Sequence, residues 1–533
     1  MHAMVHAPML SQADHIHFPP AVDVPREYNA AWDLIGRNLG PGRGERIAYI
    51  DDHGRYSYTD LDRASARVAG VLAAAGLHAE QRVVMCMHDS FDWPATFLGA
   101  IRAGIVPVAV NTSLTAQDYA WMLADSRAAT AIVSAPLVPL FEPLLKMVPS
   151  FRQLLVVGGT VAGHAGLTAM METVAARDDI APTLADDACF WLYSSGSTGK
   201  PKGTVHVHAS LIHTAELYAR PVLGIQASDT VFSAAKLFFA YGLGNALTFP
   251  LSVGACTVLM AERPTPEAVF KRLLEHAPTI FYGVPTLYAS LLASPALPAA
   301  ASLRLRRCTS AGEALPADIA SRWQRHFGQD ILDGIGSTEM LHIFLSNRVD
   351  DVRYGTTGKP LAGYLARIVD DEGLALAAGE IGELQVNGPT AASMYWNNRE
   401  KSRATFLGAW TRTGDKYRID ADGYYVYCGR SDDMLKVGGI YVSPSEVESA
   451  LLDHPAVLEA AVVGRTDEAQ LIKPAAYVVL NAGFVPDAAM VETLKLHVRE
   501  CLAPYKYPRW IEFLPELPKT ATGKIQRFKL RGT

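Results

Sequence analysis

Between residues 61 and 134, helical and strand patterns take turns, and this alternation constrains the fold more than any other feature of the chain. Leu61–Ala75 has the spacing of an amphipathic, alanine-rich helix, and Arg82–Met87 that of a strand. Phe97–Ile105 then predicts a helix and Val106–Val110 a short buried strand, followed by a helix over Thr115–Ser126 and a strand over Ala131–Ser134. Strands that are apolar throughout and joined by helices pair in parallel and need cover on both faces. Past about residue 364 the texture changes to short β segments with turns, at 366–373 and 381–386. Gly429–Met434 is a polar break with the character of a hinge. Beyond it come a helix over Pro444–Leu452, strands over Leu458–Val463 and Ala475–Leu480, and a helix over Ala488–Leu502. The expected fold class is therefore α/β. A large N-terminal body of layered sheets with flanking helices, carrying a small β subdomain, spans residues 1–431, and a mobile C-terminal α+β domain spans residues 432–533.

Composition excludes several functions. Lys+Arg 48 against Asp+Glu 54 gives a net charge of −6, which is no basis for a phosphate-backbone binder, so no nucleic-acid partner is expected. At 49% apolar and 19% charged residues the chain can build a large core. The six cysteines form no CxxC pair, which disfavours a zinc ribbon or a disulfide scaffold. The first basic residue is Arg26, so no secretory leader is expected, and the location expected is cytoplasmic. Gly242–Ala261 runs without a formal charge, but Pro250, three glycines and several polar residues interrupt it. A strand, turn and strand in a core is expected there, and no membrane association.

The chemistry starts at Ser194. The apolar strand Ala188–Tyr193 runs into Ser194-Ser-Gly-Ser-Thr-Gly-Lys-Pro-Lys-Gly203, where glycines admit an anion to backbone N–H groups and Lys200 and Lys202 supply charge. A Gly/Ser/Thr run alone would be an ordinary surface turn; the buried strand before it and the two lysines point to phosphate. It is not a Walker A loop. Only two residues separate Gly196 from Gly199-Lys200, and Pro201 stands where a magnesium-binding hydroxyl should be.

Tyr193–Gly203 resembles the signature loop of the adenylate-forming superfamily of acyl- and aryl-CoA synthetases, adenylation domains and luciferases. Four further segments follow in that superfamily's order: Gly334-Ile-Gly-Ser-Thr-Glu339, Thr411-Arg-Thr-Gly-Asp415, Gly429-Arg-Ser-Asp-Asp-Met-Leu-Lys436 and Pro518-Lys-Thr-Ala-Thr-Gly-Lys-Ile525. The resemblance implies a two-step reaction, in which a carboxylate attacks the α-phosphate of ATP and the CoA thiol then takes the acyl group. It places Ser194, Ser195, Gly196, Ser197, Thr198, Gly199, Lys200 and Lys202 around the β- and γ-phosphates, Thr338 at the α-phosphate and Glu339 on Mg²⁺. By the same resemblance Asp415 accepts the ribose hydroxyls and Arg430 contacts ribose or phosphate, while Gly312, Glu313, Ala314, Asp333 and Gly334 line the adenine side. It makes Lys524 the catalytic lysine that bridges carboxylate and α-phosphate, and Asp432 the hinge that withdraws it. Lys436 assists the second step, and Gly438 and Gly439 let backbone approach the pantetheine arm. Without the motifs, Glu339 would be a solvated carboxylate, Asp415 a turn residue, Arg430 half of a surface ion pair and Lys524 a solvated terminal lysine. His206, His208 and His213 are expected to be packed or hydrogen-bonded rather than metal ligands, and Cys308 and Cys428 to be core filler.

For the acid, Phe239 stands where many such ligases carry His, which suggests an apolar gate. The segments Lys236–Asn245 and Gly336–Phe344 resemble those of benzoate–CoA ligases. That resemblance implies a flat aromatic slot lined by Phe239, Ala240, Tyr241, Ala311, Gly336, His342 and Ile343. Phe238, Phe239 and Tyr241 could instead be plain core aromatics. The expected activity is benzoate + ATP + CoA giving benzoyl-CoA, AMP and diphosphate. The alternatives are a substituted benzoate, a short- or medium-chain acid, a carrier-protein-loading enzyme and a non-catalytic nucleotide sensor. A homodimer and control by acetylation of Lys524 stay open. Residues 504–533 hold seven Lys/Arg against two Asp/Glu, a basic tail suited to small anions.

Overall fold

The computed structural model describes residues 9–194, 201–431, 433–437, 440–467, 471–502, 506–519 and 525–531. The body holds two large sheets. In the first, of eight strands, Val106–Ala109, Arg82–Cys86, Thr130–Ser134 and Gln153–Val157 run parallel. Ala188–Ser194 joins them in parallel, then pairs antiparallel with Lys202–Val207, which in turn pairs with the edge strand Met394–Tyr395. In the nine-stranded second sheet, Ile331–Gly336, Arg307–Ser310, Ile280–Gly283, Thr230–Ser233, Cys256–Val258 and Ile47–Ile50 are parallel, with antiparallel strands at both margins.

The period of two along each strand sorts these sheets into layers. Val83 and Met85 enter the same buried cluster as Tyr49, Ile280 and Tyr282 of the other sheet, together with Leu61, Val68, Phe97 and Leu98 from helices Tyr58–Ala74 and Asp92–Arg102. The alternate residues Val84 and Cys86 pack outward on helix Ala116–Ser126. On the second sheet Phe232 and Phe281 pack outward on Val269 and Trp323. Helices thus lie between the sheets and on both outer faces. The two central helices approach closely at Gly99, where a Cβ would stand 2.7 Å from both Ser65 O and Val68 Cβ.

A small antiparallel sheet of Leu365–Val369, Gly382–Asn387, Phe406–Leu407, Trp410–Ile419 and Tyr425–Arg430 follows. Val457–Thr466, Ile472–Leu480 and Trp510–Phe513 then make a three-stranded sheet. Its last pair is parallel, with helix Ala488–Cys501 as the crossover. This unit has its own core, built on Val447, Leu451, Val462, Val478, Leu494 and Val498.

Three sequence expectations change. The helix expected at Phe97–Ile105 is Asp92–Arg102: Pro94 sits in its first turn, where its missing N–H costs nothing, and Gly104 at φ 71° ends it. The expected strand, turn and strand at Gly242–Ala261 is instead helical through Ala240–Leu243, Gly244–Thr248 and Phe249–Val253, and only Cys256–Val258 is a strand. From residue 242 to 252 the helical part is buried on all sides, so it lacks the polar face that would have announced a helix. The basic tail is also less open than its charge suggested. Lys506 pairs with Glu446 at 2.6 Å, Lys519 with Glu459 at 2.5 Å, Arg527 with Glu448 at 2.8 Å, and Arg531 with Asp433.

Candidate active site

The strands Ala188–Ser194 and Lys202–Val207 bring Ser194 and Lys202 opposite each other as register partners. Ser195, Gly196, Ser197, Thr198, Gly199 and Lys200, between them, lie outside the described residues, as do Asp432, Gly438, Gly439 and Lys524 and the side chain of Lys436. At the base of this hairpin stands Glu339. Its Oε1 accepts the Ser194 hydroxyl at 3.2 Å and the Tyr395 hydroxyl at 2.6 Å. The Lys202 ammonium lies 4.5 Å from the Tyr395 ring centroid. Thr338 and Glu339 are held from behind: the Ala392 N–H donates to the Glu339 carbonyl at 2.7 Å, and His206 Nε2 donates to the Thr338 carbonyl at 2.8 Å. Burial pushes His206 down to about 4, so it serves as a neutral donor. In the same turn Leu341 adopts φ 66°, a left-handed conformation that costs a side-chain-bearing residue roughly 1–2 kcal/mol.

Glu339 suits Mg²⁺ chemically. It offers a hard oxygen, and among the described residues no group of three His, Cys, Asp or Glu could cage an ion. One carboxylate with a hard oxygen fits a metal that keeps waters and binds mainly to phosphates.

Further along, Asp415 and Arg430 are cross-strand partners, and Arg430 Nη1 meets Asp415 Oδ1 at 3.1 Å. Gly414 at φ 74° allows this approach, since a Cβ there would be 2.9 Å from Arg430 Nη2. Asp333 pairs in register with Ser310, which leads to Ala311 and on to the exposed Gly312 and Ala314 and the half-buried Glu313. Gly334 follows it on the same strand, where a Cβ would be 2.8 Å from the Leu345 carbonyl. Burial holds the Asp333 carboxyl well above the usual carboxylate range, and its Oδ1 has no hydrogen-bond partner among the described residues. An unpaired buried acceptor of this kind fits an N–H donor such as an exocyclic amine.

On the other side of Gly336 lies an aromatic cluster. The Tyr241 hydroxyl is 2.6 Å from Thr309 Oγ1. The His342 ring faces Tyr241 and Phe249, with centroids at 5.5 and 4.6 Å. His342 Nε2 is 3.2 Å from both the Tyr241 carbonyl and Asn245 Oδ1 and donates toward them; burial lowers it to about 3 and keeps it neutral. Two glycines are fitted around this ring. A Cβ on Gly244 would be 2.3 Å from His342 Cδ2, and one on Gly336 2.6 Å from the His342 carbonyl. Ala311 and Ile343 belong to the adjoining buried cluster, with Phe239, Ala240 and Tyr241 packed against it half-buried. Phe238 is buried and lies 4.4 Å from Phe239, ring to ring, so of the two only Phe239 keeps a partly open face.

The structure thus gathers Ser194, Lys202, Thr338 and Glu339 in one group, Asp415 and Arg430 in another, and Tyr241, Gly336 and His342 in a third. Tyr395, Thr309 and Asn245 join these groups without having been expected there. Tyr395 sits on a two-residue edge strand with no pattern around it, Asn245 closes the segment Lys236–Asn245 without standing out in it, and Thr309 lies just before Ala311. His206 and His208 are buried and hydrogen-bonded, and Cys308 and Cys428 are buried, as the sequence suggested.

Residues 40–396 match the AMP-binding enzyme family and residues 446–524 the AMP-binding enzyme C-terminal domain, and the chain belongs to this family. Its relatives narrow the class. The chain is 63% identical to the benzoate–CoA ligase of Thauera aromatica, over 98% of this chain and 99% of that protein. It is 49% identical to the 4-hydroxybenzoate–CoA/benzoate–CoA ligase of Rhodopseudomonas palustris, over 95% and 94%. Among solved structures, a benzoate CoA ligase from Burkholderia xenovorans superposes with a TM-score of 0.89 at 55% identity, over 95% of this chain and all (100%) of the other. An anthranilate CoA ligase bound to anthranoyl-AMP gives 0.91 at 43% identity, over 95% and 97%.

The buried histidines have a consequence for acid stability. His206, His208 and His213 are lowered to about 4 and His342 to about 3, all by burial. Their folded values lie below the unfolded value near 6.5, so stability complete above that pH is lost as pH falls below it. The slope is about 1.4 kcal/mol per pH unit per group. Asp89, raised to about 6, Asp92, Asp125 and Asp333 act in the opposite sense, but with His88, His276 and His454 also lowered the histidines outnumber them. The thermal unfolding midpoint is expected to drop between pH 7 and pH 5.5, with net proton uptake on unfolding. A steady or rising midpoint would contradict these assignments.

Proposed function

We propose that the chain is an ATP- and Mg²⁺-dependent benzoate–CoA ligase. A benzoate oxygen attacks the α-phosphorus of ATP, the bond to the bridging oxygen breaks and diphosphate leaves. The CoA thiol then loses its proton, its sulfur attacks the carbonyl carbon of benzoyl-AMP, and AMP leaves. Two anions must meet in the first step, so the cost of their repulsion has to be offset by charges and donors already in place. In this reading Ser194–Lys202 cradles the outer phosphates, Thr338 contacts the α-phosphate, and Asp415 and Arg430 hold the ribose. Lys524 bridges the attacking carboxylate and the α-phosphate. Glu339 would hold Mg²⁺, which when bound neutralises phosphate charge. We divide the chain into a body of residues 1–431 and a lid of residues 432–533, with Asp432 as the pivot and with Lys436, Gly438 and Gly439 serving the thioester step. A cytoplasmic location fits this chemistry, and among the described residues no helix is long and apolar enough to cross a membrane. Acetylation of Lys524 would remove the bridging charge, which gives the cell a means of control.

The observation that carries the choice of acid is the clamped, neutral His342 beside Tyr241, with Gly244 and Gly336 fitted to it. No formal charge stands among Ala240, Tyr241, Ala311, Gly336, His342 and Ile343, so the slot favours a flat apolar ring. One observation favours a hydroxybenzoate instead: His342 Nδ1 has no partner among the described residues and could accept a ring hydroxyl. Diphosphate release and CoA-dependent AMP formation, measured over benzoate, hydroxy- and aminobenzoates, acetate and hexanoate, test the choice. Benzoate should give the highest kcat/KM and hexanoate a value lower by roughly 10²-fold or more; the reverse order would refute an aryl slot.

A further inference from the structure

We propose that Asp89, acting with Lys236, is a positioning residue for the acid substrate: reaching from the first sheet, it fixes the loop of the second sheet that presents Phe239, Ala240 and Tyr241. The inference rests on the reading of that loop as the acid-binding face.

Asp89 lies three residues beyond the carboxyl end of strand Arg82–Cys86 and is 4% exposed. Both of its oxygens accept the Leu237 N–H, each at 3.3 Å. Leu237 itself lies beyond the carboxyl end of strand Thr230–Ser233 in the other sheet, so the contact spans the seam between the two sheets. The segment carrying Asp89 is anchored on both sides. The His88 N–H donates to Ser134 Oγ at 3.0 Å, and the Phe91 N–H to Asp51 Oδ2 at 2.9 Å. Phe91 also stacks on Tyr56 at 3.9 Å.

The loop on the far side of the contact has little slack. Lys236 Nζ donates to the carbonyls of Met260 and, at 2.7 Å, Glu262. The Phe239 N–H returns to the Lys236 carbonyl at 3.0 Å, and the Leu243 N–H to the Phe239 carbonyl at 2.8 Å. A Cβ on Gly242 would stand 2.0 Å from the Lys236 carbonyl oxygen. A loop closed this tightly passes a displacement at Leu237 on to Phe239 and Tyr241 instead of absorbing it. A buried carboxylate is costly where a neutral acceptor could take one N–H. At Asp89 the Lys236 charge offsets part of that cost, while Lys236 ties the same loop to the Met260 and Glu262 carbonyls, so the loop is fixed from two directions. Asp89 acts through the loop, by way of the Leu237 N–H.

The test is steady-state kinetics of the full chain carrying Asp89→Asn or Lys236→Met, with benzoate and ATP varied separately. The expected result is an apparent KM for benzoate higher by roughly tenfold, with the KM for ATP and the rate at saturating benzoate changed by less than about threefold. An unchanged benzoate KM, or benzoate and ATP values rising together, would overturn the inference. If Asp89→Asn does not fold, Lys236→Met probes the same clamp from its other partner. A wild-type chain that does not turn over benzoate would instead defeat the functional reading on which this rests, so the two failures are distinguishable.

Discussion

Replacing Lys524 with Ala is expected to lower benzoyl-adenylate formation by roughly 10³-fold, the scale of loss when one preorganised charge-stabilising group is removed from a transition state. The reason is electrostatic. Benzoate and the α-phosphate repel each other, and in the proposed mechanism Lys524 is the cation that faces both. Once the adenylate exists this repulsion is gone, so the variant should still convert supplied benzoyl-AMP and CoA to thioester at close to the wild-type rate. A comparison of the two half-reactions separates this role from a structural one. Equal loss in both would remove Lys524 from the adenylation step.

Glu339→Gln is the second large effect. The Tyr395 and Ser194 hydroxyls both donate to Glu339 Oε1, and Gln can still accept them, so the turn should keep its shape. What disappears is the negative charge that suits a divalent ion. Adenylation is expected to fall by roughly 10²-fold, with a rise in the Mg²⁺ concentration needed for half-maximal rate and little change in the KM for benzoate. A variant with normal Mg²⁺ dependence would show that Glu339 only buttresses the strands carrying Ser194 and Lys202.

Much of this was legible because it is local. A run of continuous apolar residues reads directly as buried sheet, and Ala188–Ser194 is that strand. Likewise Pro444–Leu452 begins at Ser443, whose side chain caps Glu446 N–H, and both signals are in the sequence. The parts that were not legible depend on partners far along the chain. Glu339 and Tyr395 are 56 residues apart, and Asp89 and Leu237 are 148 apart; neither pair leaves a periodic trace. The helix through residues 240–253 was hidden for a different reason, since burial of every residue from 242 to 252 removes the amphipathic pattern from which a helix is read. Among residues 504–533, Lys506, Lys519, Arg527 and Arg531 are held in ion pairs to Glu446, Glu459, Glu448 and Asp433, so a sum of charges overstated what faces a ligand.

The central claim is that benzoate is activated by direct attack of its own oxygen on the α-phosphorus. Benzoate labelled with ¹⁸O in both carboxylate oxygens, supplied with ATP, Mg²⁺ and CoA, tests it most directly by mass analysis of the AMP released. AMP carrying a single ¹⁸O is expected, because the attacking oxygen stays on phosphorus when the thiol displaces AMP. AMP without label, alongside benzoyl-CoA formation, would contradict it.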